Sequence, residues 1–385
     1  MNMKSAALIT VAILCLFSNV AFAADPIGFE RIEIDPSFRS EGVATADVNK
    51  DGKQDVVVGD YWYENPDWTG HEIRKPRKPN RGGYTEAFAV YAKDFNRDGW
   101  ADILVIPFHG KDAKWYENPQ NKPGHWKERL AFKRTGNETR LYVDLFGDDQ
   151  PVFLMGVEGQ MSWVEVPADP TGLWTVHKID PGKHAADNYY HGLGVGDING
   201  DQRNDVITPE GWWEQPGAGR KHEGVWTFHK TKLGPSCADM HVADLDGDGR
   251  NDVISTSAHA HGIWWLRQVG DKKEPTFEQH TLDKSIKETH SANFVDINGD
   301  GRLDLVTGWR FFAHGFRPAL ADKPSELAWF DIVMKEGQPP KLMKHTVDMR
   351  SGVGAQFETK DFDGDGRIDI IVSNRKGVFI FKQVD

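Results

Sequence analysis

The stretch Asp47-Val-Asn49-Lys-Asp51-Gly52-Lys-Gln-Asp55 decides the fold, because the chain repeats it. It returns as Asp94-Phe-Asn96-Arg-Asp98-Gly99-Trp-Ala-Asp102, and again at Asp197–Asp205, Asp244–Asp252, Asp296–Asp304 and Asp361–Asp369. A decayed copy starts at Asp144, where Phe146, Asp149 and Val152 replace a ligand, the turn glycine and the last carboxylate. Successive starts lie 47, 50, 53, 47, 52 and 65 residues apart. Strand-rich units of that length point to a propeller rather than a linear solenoid.

Each unit reads as four strands, A to D from the axis outward. A short run enters the Asp loop and a β-branched run leaves it, as in Asp55-Val-Val-Val58 and Asp369-Ile-Ile-Val372. The third strand carries Trp62-Tyr-Glu-Asn-Pro66, Trp115-Tyr-Glu-Asn-Pro119, Trp163-Val-Glu-Val-Pro167 or Trp212-Trp-Glu-Gln-Pro216. The fourth ends on a histidine: His177, His229, His280 or His345. After the seventh Asp loop no fourth strand remains, whereas Phe29-Glu-Arg-Ile-Glu-Ile-Asp35 resembles Trp174–Asp180. The expectation is an all-β, seven-bladed propeller of four antiparallel strands per blade. The N-terminal strand completes the last blade, so that no long sheet edge stays open.

The chain of 385 residues starts with Lys4, an apolar run from Ala6 to Phe17 and Ala21-Phe22-Ala23, the order of a secretory signal peptide. We therefore expect residues 1–23 to be a leader and 24–385 a single exported domain, periplasmic or extracellular. No other segment reaches the roughly 18 apolar residues of a membrane span. The net charge is −12, or −13 once Lys4 leaves with the leader, which argues against nucleic-acid binding through phosphate neutralisation. Of the two cysteines, Cys15 lies in the leader and Cys237 is left alone, so no intrachain disulfide supports the exported fold.

Calcium is the expected staple. Oxygen ligands at loop positions 1, 3, 5 and 9 suit a hard cation. The ligand set is Asp47, Asn49, Asp51, Asp55; Asp94, Asn96, Asp98, Asp102; Asp197, Asn199, Asp201, Asp205; Asp244, Asp246, Asp248, Asp252; Asp296, Asn298, Asp300, Asp304; and Asp361, Asp363, Asp365, Asp369. About six structural Ca2+ ions would cancel nearly all of the net charge. These loops, each leading into an apolar strand, resemble FG-GAP (VCBS) repeats. With the Trp-x-Glu-x-Pro strands and His191-Gly-Leu-Gly-Val-Gly-Asp197, the chain is similar to the propellers of aldos-2-ulose dehydratase and rhamnose–glucuronate lyases. That resemblance implies a seven-bladed, calcium-binding fold and elimination on carbohydrate. It matches no catalytic residue one by one.

The repeat also separates blade-building residues from functional ones. The strand-D histidines and the strand-C tryptophans recur, so they are read as packing. Residues that break the repeat fall in the B–C and D–A connections, opposite the Asp loops. They include Glu41, His109, Glu138, Arg140, Tyr189, Tyr190, His191, Cys237, Asp239, His241, His259, His261, His290, Arg310, His314 and Arg317. The lead reading is a sugar lyase or dehydratase with His191 or His241 as base and Tyr190 as candidate acid. Arg310, or a transition metal held by His241, His259 and His261, would stabilise the enolate. Asp239, His290 and His314 belong to the same set. The alternatives are a propeller that only binds polysaccharide or protein, and a calcium-dependent scaffold.

Overall fold

The computed structural model describes residues 27–384 apart from 79–82, 181, 183, 185–187, 218, 221–223, 312–323 and 336–337. The expected leader, His314 and Arg317 lie outside the described residues. The described chain is all β, with twenty-eight strands from β1 (Gly28–Asp35) to β28 (Gly377–Val384). Among the described residues no helix is long and apolar enough to cross a membrane.

Five sheets have four antiparallel strands each, and the sixth has eight. The first sheet shows the pattern. β2 (Ala44–Ala46) enters the Asp loop, β3 (Asp55–Val57) leaves it, and β4 (Tyr61–Glu64) and β5 (Thr69–Glu72) follow outward. Strands that leave an Asp loop are buried throughout, for example β7 (Asp102–Ile106) and β27 (Asp369–Asn374), as their apolar β-branched runs require.

The closing strand forms as expected. β1 pairs antiparallel with β28 from Gly28↔Val384 to Asp35↔Val378, so residues from both ends of the described chain share one sheet. Phe29, Ile32 and Ile34 pack against the core that holds Phe379, Ile380 and Phe381.

Seven separate blades were expected, and here the structure differs. The eight-stranded sheet runs β17-β16-β15-β14-β18-β19-β20-β21. Its two antiparallel halves join where β14 (Leu193–Gly196) and β18 (Cys237–Ala243) pair in parallel, from Leu193↔Asp239 to Val195↔His241. The cause lies in the glycines of the His191–Asp197 stretch. A Cβ on Gly194 would come 2.1 Å from the Met240 carbonyl oxygen, and one on Gly196 would come 2.5 Å from Val242 Cβ. Glycine lets the two inner strands approach to hydrogen-bonding distance.

Four of the strand-D histidines lie flat on a tryptophan, whereas His280 is tilted by 33° on Trp265 at 5.0 Å. Ring centroids are 4.2 Å apart for His71 on Trp62, 3.7 Å for His177 on Trp163, 4.1 Å for His229 on Trp212 and 4.0 Å for His345 on Trp329. They build blades, as their periodicity implied.

The Asp loops bind their own backbone tightly. Asp47 accepts the N–H groups of Asp51 and Gly52, each at 3.0 Å. The ninth-position Asp55 is fully buried and accepts N–H from Val48 inside the loop (2.9 Å) and from Asn65 beyond β4 (3.0 Å). The same brace recurs at Asp102, Asp205, Asp252 and Asp369. It ties each loop to its third strand. In the decayed copy Val152 stands in that place, and the Arg220 guanidinium bonds Asp148 at 2.7 and 2.8 Å. The fourth loop holds Gln202 at φ 68° where Gly52 holds φ 88° in the first.

Candidate active site

The connections opposite the Asp loops converge on Glu138, which precedes β10 (Leu141–Val143). Its Oε1 accepts a hydrogen bond from His109 Nε2 at 3.3 Å. Its Oε2 accepts one from Arg310 Nη1 at 3.0 Å and lies 3.3 Å from His191 Nε2 and 3.9 Å from His290 Nε2. Burial alone would push this carboxyl up. Hydrogen bonds from His109 and His191, with the charges of Arg310 and His290, outweigh burial and hold it well below the usual carboxylate range.

The tautomers follow from the outer partners. His191 Nδ1 lies 2.7 Å from the Tyr189 carbonyl oxygen and His290 Nδ1 lies 3.2 Å from that of Glu288. A carbonyl only accepts, so both Nδ1 atoms carry a proton, and Nε2 is the atom of each ring that gains or loses the second proton. With that proton in place each ring is a cation facing Glu138; without it a lone pair faces the carboxylate, an arrangement that calls for a metal cation between them. His259 joins the pair, with ring centroids 4.5 Å from His191 and 5.8 Å from His290. One ligand atom from each of His191, His259 and His290 lies within 4.8 Å of the others. His191 and His290 are buried and His259 is exposed, so the trio is open on one side.

Around this cluster the charges are paired. Arg310 is buried, donates from Nε to Glu41 at 2.7 Å as well as to Glu138, and is held above its ordinary range by the two carboxylates despite burial. Its guanidinium is therefore spent on the protein and not free for a substrate enolate. Arg140 Nη2 donates to His109 Nδ1 at 3.0 Å, which leaves His109 Nε2 to donate to Glu138. Burial, above the other influences, lowers the His109 pKa. Tyr189 is 62% exposed, and its ring stands edge-on to His109 at 5.3 Å.

Several expected site residues sit elsewhere. His241, on β18, has Nε2 bonded to the Ala292 carbonyl at 2.9 Å and stacks on Phe294; burial pushes its pKa down to about 4. His261 is exposed, with Nδ1 3.0 Å from the Lys284 carbonyl. The histidine trio that the structure brings together is thus His191, His259 and His290, not His241, His259 and His261. Tyr190 packs against the core that holds Leu193 and Trp213, and burial raises its hydroxyl pKa; Tyr189 is the tyrosine at the cluster. Asp239 Oδ2 accepts the Ala292 N–H at 2.8 Å, and burial raises the carboxyl to about 7. Buried Cys237 is pushed up to about 12, out of reach as a thiolate. A groove of about 740 Å3, lined by Trp62, His71 and His125 at the outer edge, holds none of the cluster.

Sequence reasoning placed Glu138 at the right end of the ring but outside the chemical set. The available signal was a carboxylate that breaks the repeat at a strand-A entry, two residues from an arginine.

A model of the FG-GAP-like repeat matches residues 221–307. No curated protein matches the chain. Among solved structures, the chain is similar to a lectin of Agrocybe aegerita that recognises non-reducing terminal N-acetylglucosamine. Identity is 18% and the TM-score 0.42, over 93% of this chain and 86% of the lectin. It is also similar to the exotype rhamnogalacturonan lyase YesX at 12% identity and TM-score 0.44, over 94% of this chain and 75% of that one. A rhamnogalacturonan lyase of Bacillus licheniformis follows at 15% identity and TM-score 0.39, over 94% and 74%. Values this low leave substrate and reaction to the residues of the site.

Proposed function

We propose that this chain is an exported, calcium-stabilised propeller that acts on carbohydrate as a lyase or dehydratase, by β-elimination on a keto-sugar or uronate. The observation that carries the reading is the convergence of His191, His259 and His290 beside an ionised, buried Glu138. Elimination needs a base for the proton beside a carbonyl or carboxylate, a cation for the enolate and an acid for the leaving oxygen. His191 is the base, because its Nδ1–H is tied to Tyr189 and its Nε2 keeps a lone pair. The imidazolium of His290, backed by Glu138, faces the enolate. Tyr189, exposed beside His109, protonates the leaving oxygen.

The geometry of the trio favours a second reading of the same site. His191 and His290, held through Nδ1 by backbone carbonyls and backed by Glu138, together with His259 beside them, have the chemistry of a transition-metal set. A metal bound there would supply a Lewis acid for the substrate's carbonyl oxygen. His191 would then be a ligand, and Tyr189 would be left as the group that moves protons. Calcium belongs to the six loops: positions 1, 3 and 5 are the ligands, and the ninth-position Asp completes the set while it fixes loop to blade. In two loops, Asp244, Asp246, Asp248 and Asp361, Asp363, Asp365, the three carboxylates already gather within 4.8 Å.

The test is a screen of keto-sugars and uronate-containing polysaccharides, followed by the absorbance of the unsaturated product. His191→Ala should lower kcat about 10²–10⁴-fold, the range for a general base. Unchanged turnover would remove His191 from the chemistry. Binding without turnover on every substrate would favour the non-catalytic alternative.

A further inference from the structure

A second cavity of about 420 Å3 lies among the inner strands, and Lys93, Arg140, Asp239, Asn293, Glu358 and Lys360 are among its lining residues. Lys93 and Lys360 immediately precede the Asp loops at Asp94 and Asp361, so the cavity reaches toward the calcium-loop end, away from the histidine cluster.

Arg140 is the informative residue. It is only 6% exposed, and Nη2 is used by His109 and the Pro107 carbonyl, while Nε and Nη1 are buried and make no hydrogen bond. Among the described residues no carboxylate comes within 4.0 Å of it. A buried guanidinium with idle donors is expensive, and an acceptor ligand removes the expense. The remaining charges agree. Three cations, Lys93, Arg140 and Lys360, line the cavity with two carboxylates; Lys360 Nζ also bonds Gln54 Oε1 at 2.9 Å, and each carboxylate has an internal donor, the Ala292 N–H for Asp239 and the Thr45 hydroxyl, at 2.6 Å, for Glu358. The cavity is large enough for one sugar ring, and the Thr45 hydroxyl oxygen and the Asn293 side-chain carbonyl can accept from its hydroxyls, while the Gln356 amide is held by the backbone of Val43 and Val90.

We propose that this axial cavity is a binding site for a small hydroxylated carboxylate of the uronic-acid monosaccharide class, with the carboxylate seated on Arg140. Guanidinium suits this role better than ammonium because its donors lie in a plane that matches a carboxylate. The site meets the histidine cluster through Arg140, whose Nη2 holds His109, but its lining includes none of His191, His259 and His290, and it does not depend on the reaction assigned there.

Isothermal titration of the calcium-loaded protein with D-glucuronate, D-glucose and acetate tests it. Glucuronate should bind one per chain and glucose should not. Arg140→Met should weaken glucuronate at least about tenfold, the loss expected for one charge-assisted contact, and His191→Ala should leave it unchanged. Lys360→Glu, at the mouth of the cavity, should weaken binding as well and keeps the test valid if Arg140→Met does not fold. Acetate should bind more weakly than glucuronate; acetate that binds as well would overturn the uronic-acid assignment. No glucuronate binding, or binding that His191→Ala abolishes and Lys360→Glu does not touch, would overturn the proposal.

Discussion

Arg310 Nη1 donates to Glu138 Oε2 at 3.0 Å, which joins the end of β23 (Asp304–Gly308) to the entry of β10 across the mouth of the ring. The same guanidinium holds Glu41 before β2, so one buried cation ties three sheets together. The oxygen that Arg310 contacts is also the one that His191 and His290 approach. The histidine cluster and this link between sheets therefore share a single carboxylate.

Removing that carboxylate should leave Arg310 paired with Glu41 alone. Glu138→Gln is expected to cost about 1–3 kcal/mol in urea unfolding, the range for leaving a buried polar group short of a partner. The double change Glu138→Gln with Arg310→Met takes Arg310 away from buried Glu41 as well and should cost more than the single change. A silent Glu138→Gln would show that the network is solvated and that Glu138 does not organise the cluster.

The ninth-position aspartates give a prediction that does not depend on metal. Asp205 accepts N–H groups from Ile198 and Gln215, and Asn offers one acceptor where the carboxylate offers two. Asp205→Asn should destabilise the chelated protein by about 1–3 kcal/mol, the cost of leaving one buried donor unpaired. Denaturation in the presence of a calcium chelator measures it.

These two predictions also mark what the sequence made legible. Periodicity located the Asp loops, the strand-D histidines and the displaced closing strand, because a blade must repeat its packing and a ring must close its edge. The fusion of β14 with β18 was not legible. Gly194 and Gly196 alternate like ordinary strand glycines, and only the position of β18 shows that they admit a neighbouring strand. The histidine trio was half legible. His191, His259 and His290 stood out as non-repeated, but which ring faces which depends on backbone carbonyls at Tyr189 and Glu288, and these have no sequence signal. Likewise His241 alternates with Asp239 along β18, yet its imidazole is taken by Ala292 on the adjacent sheet.

Metal content separates the two readings of the cluster. Elemental analysis of the untagged, chelator-free protein should find about six calcium ions, one per complete loop. Calcium removal should lower the Tm, with the metal-free protein destabilised because the ions bind only the folded loops. One transition metal in addition, lost in His290→Ala, would support the trio as a metal set. Calcium alone after soaking in zinc would leave His191 as a free base.

Asp239 and His241 should oppose each other in the pH dependence of stability. Burial raises Asp239 to about 7, so the unfolded chain releases this proton near its ordinary value while the folded chain retains it. The unfolded state then binds fewer protons, and stability falls as pH rises from about 4 to about 7, by at most ~4 kcal/mol. His241 has the other sign. Burial lowers it to about 4, so its contribution is lost as pH falls from about 6.5 to about 4. The two contributions offset each other, so each shows in the difference between a variant and wild type. Asp239→Asn removes a falling contribution, and its stability relative to wild type should rise with pH over the same range; for His241→Gln, which can still donate to the Ala292 carbonyl, the difference should fall. Urea unfolding of the three proteins between about pH 4.5 and 7.5 checks the signs. Parallel curves for all three would mean that neither group keeps its proton state fixed by the channel wall.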